Sequence, residues 1–285
     1  MTPQRPVLFV NPRSGGGKAA RAGLAERARE RGIDVVVLRR DDDVAALVDE
    51  ALARGADMLG VAGGDGSLAI VAAAAVANGL PFVCIPGGTR NHFALDVGVD
   101  RRDLVGALDA FTEGVERRID VAEVNGRLFL NNVSLGIYGD AVRQPAYRDA
   151  KARTLLETAA NVLGPSAPAT GLAVVDDLGR LHRDPMVMLV SNNAYSLEPP
   201  RPPGTRATLE GGRLGVVVLD TARPGQNPGR SWTPMRLEVH ASAPVHAGID
   251  GEAVALVPPL RFAIRPGALL VRVARRPQRR PGPPA

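Results

Sequence analysis

The sequence predicts a mostly parallel, doubly wound α/β domain followed by an antiparallel β-sandwich-like domain, an α/β plus β architecture. Three observations carry this. Strand-length apolar runs alternate with helical patterns through the first 120 residues, two of those runs open directly into glycine-rich turns, and beyond Asp120 closely spaced strands take over. Val7 to Val10, Val35 to Leu38, Met58 to Ala62 and Phe82 to Ile85 are short and apolar throughout, as expected of strands buried on both faces. Between them, Lys18 to Arg31, Asp43 to Arg54 and Ser67 to Asn78 carry helix formers with apolar residues at three- and four-residue spacings. Ligands of such sheets bind at the carboxyl ends of the strands, where the loops Asn11 to Gly17, Gly63 to Ser67 and Pro86 to Asn91 would emerge.

In the second half, Val121 to Val124 and Leu128 to Leu130 flank Asn125-Gly126, a strong hairpin signal. Further strand-like runs follow at Leu172 to Val175, Met186 to Val190, Leu214 to Leu219, Met235 to Val239, Ala243 to Ile249, Arg261 to Ile264 and Leu269 to Val273. A helical insert at Tyr147 to Leu163 interrupts them, Pro199 to Pro203 and Arg223 to Gly229 read as loops, and no internal repeat is evident. The expected division is 1–120 for a nucleotide-binding α/β domain, 121–274 for a β-rich lipid or substrate domain, and 275–285 for a disordered basic tail.

At 285 residues with 45% hydrophobic content the chain can fill real cores. Its most apolar stretch, Ala69 to Ile85, is broken by Asn78, Gly79 and Pro81, so no apolar segment reaches the length of about 18 residues that a membrane-spanning helix needs. Met1 to Phe9 does not resemble a signal peptide, and the single cysteine, Cys84, can form no internal disulfide; a cytoplasmic location is expected. The net charge of +5 rests almost wholly on arginine, since Lys18 and Lys151 are the only lysines. That balance suits an acidic partner such as a nucleotide or an anionic headgroup. Nucleic acid is excluded as a partner: aromatics are 4% of the chain, and there is neither an aromatic-interleaved basic strip nor zinc-type Cys/His spacing.

The glycine-rich turns carry the chemistry. Glycine permits positive φ and lacks the Cβ that would block close approach, so backbone N–H groups and a helix N-terminus can face an anion. Gly63-Gly64-Asp65-Gly66-Ser67 is the strongest case, because a flexible turn does not require an aspartate between its glycines. Beside phosphates a carboxylate is repelled unless it binds a metal, accepts a proton or caps the helix, and all three remain open for Asp65. Pro86-Gly87-Gly88-Thr89-Arg90-Asn91 offers the hydroxyl of Thr89 and the amide of Asn91 next to a second bare turn. Asn11-Pro12-Arg13-Ser14-Gly15-Gly16-Gly17-Lys18 is not a P-loop, since Ala19 follows Lys18 and the first glycine is misplaced, yet it can contact an anion. His92 reads as a structural histidine, and His182, His240 and His246 lack ligand spacing. Asp250-Gly251-Glu252 pairs two carboxylates at a turn, either a polar hairpin tip or acid-base machinery.

The ordered set NPRSGGGK, GGDGS, PGGTRNHFALDVGVD, NNVSLGIYGDAV and DGE resembles the diacylglycerol kinase catalytic family, which includes bacterial lipid kinases and sphingosine kinases. The likeness runs from Val7 to about Val273; GGDG alone also occurs in NAD kinases and phosphofructokinases, but the set does not. It implies an ATP-dependent, Mg²⁺-requiring transfer of the γ-phosphoryl group to a lipid hydroxyl such as that of diacylglycerol, at a cleft between two domains. By resemblance Asn11, Pro12, Arg13, Ser14, Gly15, Gly63, Gly64, Asp65, Gly66, Ser67, Thr89 and Asn91 would bind the nucleotide. Asp65 would orient Mg²⁺-ATP, and Asp250 or Glu252 would be the base for the lipid hydroxyl, so that Asp65, Asp250 and Glu252 form the catalytic set. The implied partners are ATP, a lipid substrate and a peripheral membrane surface at the inner face; a homodimer is compatible with the sequence.

Two departures from the family pattern stand out. His92 occupies a position usually held by aspartate, and Glu210-Gly211-Gly212-Arg213-Leu214-Gly215 lacks both aspartates of a D-G-x-L-D-like segment that helps hold an accessory Mg²⁺. With Glu210 alone nearby, that ion is expected to be absent or weak. They also keep two alternatives open: a nucleotide-binding regulatory protein without catalysis, and a kinase of a soluble alcohol such as NAD.

Overall fold

The computed structural model describes residues 4–89, 91–136, 170–196, 205–219 and 229–275. The helical insert at Tyr147 to Leu163, the loop Pro199 to Pro203, most of Arg223 to Gly229 and nearly all of the 275–285 tail lie outside the described residues. No helix among those described is long and apolar enough to cross a membrane.

The first half alternates as its periodicity requires. Strands β1 (Pro6–Val10), β2 (Asp34–Val37), β3 (Met58–Ala62) and β4 (Phe82–Ile85) pair in parallel in the order β2-β1-β3-β4. β1, β3 and β4 are buried along their whole length. Helix α3 (Val44–Ala53) begins where Asp43 caps it, its carboxylate accepting from the N–H groups of Ala45 and Ala46. Helix α4 (Asp65–Asn78) begins at the aspartate of the central turn and ends at Gly79, whose φ of 62° suits a left-handed stop. The pattern at Lys18 to Arg31 predicts one helix, but two short ones form, α1 (Ser14–Arg21) and α2 (Leu24–Arg29), broken by Gly23 at φ 56°. A short α5 (His92–Asp96), a 3-10 turn (Gly106–Asp109) and α6 (Ala110–Glu113) complete this half.

Beyond it come β5 (Gly114–Val124) and β6 (Arg127–Phe129), joined by Asn125-Gly126 with both residues at positive φ, then β7 (Asn132–Gly136), β8 (Ala173–Asp176), β9 (Leu181–Arg183), β10 (Val187–Asn192) and β11 (Leu214–Leu219). The chain continues through β12 (Gly229–Trp232), β13 (Arg236–His240), β14 (Val245–Ile249), β15 (Glu252–Leu256) and β16 (Leu260–Ala274). One antiparallel sheet runs β12-β11-β10-β7-β14-β15. Its apolar face packs on β8, β13 and the first part of β16 around Phe129, Val190, Val216, Val239 and Phe262, with Phe129 and Phe262 in edge-to-face contact at 6.4 Å.

The sequence shows Arg261 to Ile264 and Leu269 to Val273 as separate runs, but they form one bent strand. β16 pairs with β13 and β5 in the second half, passes a bulge between Arg265 and Leu269, then lies beside β4 in the first half, with Val271 opposite Phe82. β5 follows it antiparallel on both sides of the bulge. Charged Glu116, Arg117 and Arg118 mask the first half of β5, which is why no apolar run announced it.

Gly60 sits in β3 where the ring of Phe111 covers the strand, and a Cβ there would collide with the ring's Cζ. Gly60→Ala is expected to cost about 1–3 kcal/mol by overpacking, measured by urea denaturation; unchanged stability would contradict this packing.

Candidate active site

The carboxyl ends of β1, β3 and β4 bring three turns together, and the contact between them is backbone on backbone. Asn11 N–H donates to Ala62 O at 2.8 Å, tying the first turn to the end of β3. Gly15, Gly16 and Gly17 have φ of 58°, 69° and 84°, a left-handed stretch that glycine adopts without a Cβ penalty. A Cβ on Gly15 would stand 2.6 Å from Gly87 O and 2.9 Å from Gly88 O, so the first turn fits the third only as glycine. Gly87 packs equally closely on Ala62 and Gly63, and Gly88 on Gly63 and Gly64. Lys18 Nζ donates to Gly88 O at 3.3 Å.

Asn91 closes the third turn upon itself. At φ 54°, its Oδ1 accepts from Gly88 N at 2.8 Å and its Nδ2 donates to Gly88 O at 2.9 Å. Buried, with both ends of its amide engaged, it shapes the turn, whereas neighbouring Thr89 is exposed and has its hydroxyl available. Arg13 is exposed beside Asn11, whose Oδ1 accepts its N–H at 3.1 Å. His92 is half-buried at the start of α5.

Asp65 is the first residue of α4, so its carboxylate lies at the positive end of a 14-residue helix. Under it, burial, with the charge of Asp65 adding, pushes the Cys84 thiol far above its ordinary range and leaves it inert.

The acidic pair comes from the β14–β15 hairpin. Ile249 pairs with Glu252, and Asp250 (φ 48°) and Gly251 (φ 90°) form the two-residue turn. The buried Asp250 carboxylate turns back to accept from Leu130 N at 2.9 Å, Asn131 N at 2.8 Å and Asn132 N at 3.1 Å. Burial pushes its pKa up to about 6; the three N–H groups pull the other way and the charge of Asp65 adds to the rise. Glu252 points elsewhere. Its carboxylate is exposed, a Cβ on Gly66 would collide with its Oε1, and Arg127 Nη2 lies 3.3 Å from its Oε2. The segment is thus the polar hairpin tip that the sequence offered as one reading.

All the residues singled out from the sequence thus gather around the three turns, with Asp250 beneath and Glu252 against Gly66. Sequence reasoning assigned nothing to four others. Asn131 Nδ2 donates to Asp65 Oδ1 at 3.4 Å, Asp96 pairs with Arg206 at 2.6 Å, and Asp120 caps Gly212 and Gly267. Asn131 stood inside a quoted motif, but Arg206 lies among prolines and no local pattern marks it. At the stretch Glu210 to Gly215, Glu210 pairs with Arg117 at 2.8 Å, and Gly211 N donates to Asn193 Oδ1 at 2.9 Å.

Residues that could hold a triphosphate are the N–H groups of the Gly15–Gly17 and Gly63–Ser67 turns together with Lys18 and Arg13. Gly16 has open space at its Cα, and Gly64 meets nothing nearer than Ser14 Oγ at 3.8 Å, which leaves room for an anion against bare backbone. Asp65 would be the hard oxygen ligand for a phosphate-bound Mg²⁺, which needs only one or two carboxylates from a protein.

Residues 5–124 match the family model described as the diacylglycerol kinase catalytic domain. The chain is 30% identical to a protein of Pseudomonas aeruginosa named "Probable lipid kinase YegS-like", over 96% of this chain and 95% of that one. It is 38% identical to the diacylglycerol kinase of Bacillus subtilis over 91 residues, 31% of this chain and 30% of the relative. A crystal structure of a diacylglycerol kinase from Bacillus anthracis superposes with a TM-score of 0.68, covering 97% of this chain and 98% of that one at 17% identity, a likeness of fold.

The burial of Asp250 has a pH signature. Its native pKa of about 6 exceeds the unfolded value of about 3.9, so the native state binds the proton more tightly. The resulting stabilisation is fully present below about pH 4 and lost as pH rises through 6, a change on the order of 2–3 kcal/mol. Urea denaturation across this range is expected to show the loss in the wild type and to lack it in Asp250→Asn; identical pH profiles would count against it.

Proposed function

Because this chain belongs to the diacylglycerol kinase catalytic family, we propose that it transfers the γ-phosphoryl group of ATP to a lipid hydroxyl such as that of diacylglycerol. Residues 1–120 hold the nucleotide, and 121–274 supply the acidic hairpin and the acceptor's surroundings. The observation that carries the reading is the meeting of Glu252 with Gly66, which sets an exposed carboxylate against a turn built for phosphate.

ATP would supply the phosphoryl group, held by Asn11 to Gly15, Gly63 to Ser67 and Thr89, and Mg²⁺ held by Asp65 would supply the charge that neutralises the phosphate oxygens. Such transfer asks a protein for positioning and for a carboxylate near the nucleophile. A neutral alcohol is a poor nucleophile, so Glu252 accepts the acceptor's proton as its oxygen bonds to phosphorus and the bond to the departing ADP breaks. Asp250 is less suited to that step: its oxygens are committed to three backbone N–H groups. Its part is to fix the hairpin that aims Glu252. Lys18 and Arg13 add positive charge at the first turn.

The chain acts at the membrane's inner face as a peripheral protein, its arginine excess drawing it to anionic headgroups. Purified protein with Mg²⁺ and γ-labelled ATP is expected to label a lipid from a vesicle panel containing diacylglycerol in preference to NAD. Glu252→Gln is expected to lower turnover about 10²–10⁴-fold, and Asp65→Ala to lower it steeply as well. Wild-type turnover in Glu252→Gln removes that residue as base; nucleotide binding with transfer to no acceptor selects a regulatory protein instead.

A further inference from the structure

We propose that Asn131 is a positioning residue for Asp65, held in the required orientation by the buried Asp96–Arg206 ion pair. The inference rests on the kinase reading for what Asp65 does, but not for the contacts themselves. Arg206 and Asp96 are almost wholly enclosed, their side chains 0% and 2% exposed. Arg206 Nε and Nη2 grip Asp96 Oδ2 at 2.8 and 2.6 Å, and Arg206 N–H donates to Asp96 Oδ1 at 3.1 Å. The rest of the guanidinium faces the second half: Nη1 donates to Leu130 O at 2.5 Å and Asn192 O at 3.0 Å, and Nη2 to Asn131 Oδ1 at 3.1 Å. The ring of Tyr195 lies 5.8 Å from it.

A guanidinium has donors only, whereas a carboxamide has an acceptor end and a donor end. Arg206 therefore selects which end of Asn131 it meets, and the Nδ2 group must face away, where Asp65 Oδ1 stands at 3.4 Å. The backbone of Asn131 is pinned as well, its N–H donating to Asp250 Oδ1 at 2.8 Å. Asp65 and Asp250 repel each other, and a fixed amide donor aimed at Asp65 offsets part of that repulsion while setting its orientation. Asp96 and Arg206 lie 110 residues apart in sequence, so the pair also locks the two halves at the distance this contact requires.

Asn131→Asp tests the claim: it keeps an acceptor facing Arg206 and puts a negatively charged oxygen where the donor faced Asp65. The variant is expected to fold, to lose turnover about 10–100-fold at saturating ATP and acceptor, and to displace the carbon-13 carboxyl signal of Asp65, identified with Asp65→Asn. Arg206→Lys is expected to lower turnover in the wild-type background but to add nothing in Asn131→Ala, since it acts through Asn131. Wild-type turnover in Asn131→Asp, an unmoved Asp65 signal, or additive losses overturn the proposal. If Arg206→Lys does not fold, Asn131→Asp still decides. A wild-type protein that transfers no phosphate removes the kinase reading, and the Asp65 signal in Asn131→Asp then decides the positioning role by itself.

Discussion

The site exists because one pair of strands belongs to both halves of the molecule. β5 and β16 stay hydrogen-bonded on either side of a bulge, and β16 borders β4 at one end and β13 at the other. Opposite the bulge stands Asp120, a buried carboxylate whose Oδ1 accepts from Gly267 N at 2.9 Å and whose Oδ2 accepts from Gly212 N at 2.6 Å and Asn193 Nδ2 at 3.2 Å. Its N–H donates to Leu209 O at 2.7 Å. A charge taken out of water is tolerable only with such a set of donors. Here the donors come from three segments distant in sequence, so satisfying Asp120 fixes the bend, and the bend brings the β14–β15 hairpin over the glycine turns.

Several carboxylates crowd that region, and each is accommodated by its own means. Asp65 has a helix N-terminus behind it and the Asn131 amide in front. Three successive N–H groups receive Asp250, though burial and Asp65 still favour its protonated form. Glu252 stays exposed beside Arg127, and Asp96 is enclosed with Arg206. Environment separates them: Glu252 keeps to the surface beside Arg127, while the enclosed carboxylates commit their lone pairs to nearby donors.

Much of this was legible in the chain. β3 and β4 are uniformly apolar and bounded by glycine turns, so their limits follow from the residues alone, and Asn125-Gly126 forms the hairpin its dipeptide signals. β9, β12 and β15 were not legible, because they are short and largely exposed. The loop read at Asn11 to Gly17 takes a left-handed course through Gly15 to Gly17, where a Cβ on Gly15 would strike the carbonyls of Gly87 and Gly88, a contact no local pattern shows.

By itself the sequence determined the parallel core of the first half, the glycine turns after its strands and the presence of an Asp-Gly-Glu tip, because these depend on local φ preferences and on apolar periods of two and 3.6 residues. Tertiary structure alone decided that the last strand returns to the first sheet, that Asp250 grips the backbone while Glu252 faces Gly66, and that Arg206 reaches Asp96 and Asn131. Those contacts join residues about 70 to 190 positions apart, and nothing local encodes them. They form where buried charges must find donors within reach once the cores have closed.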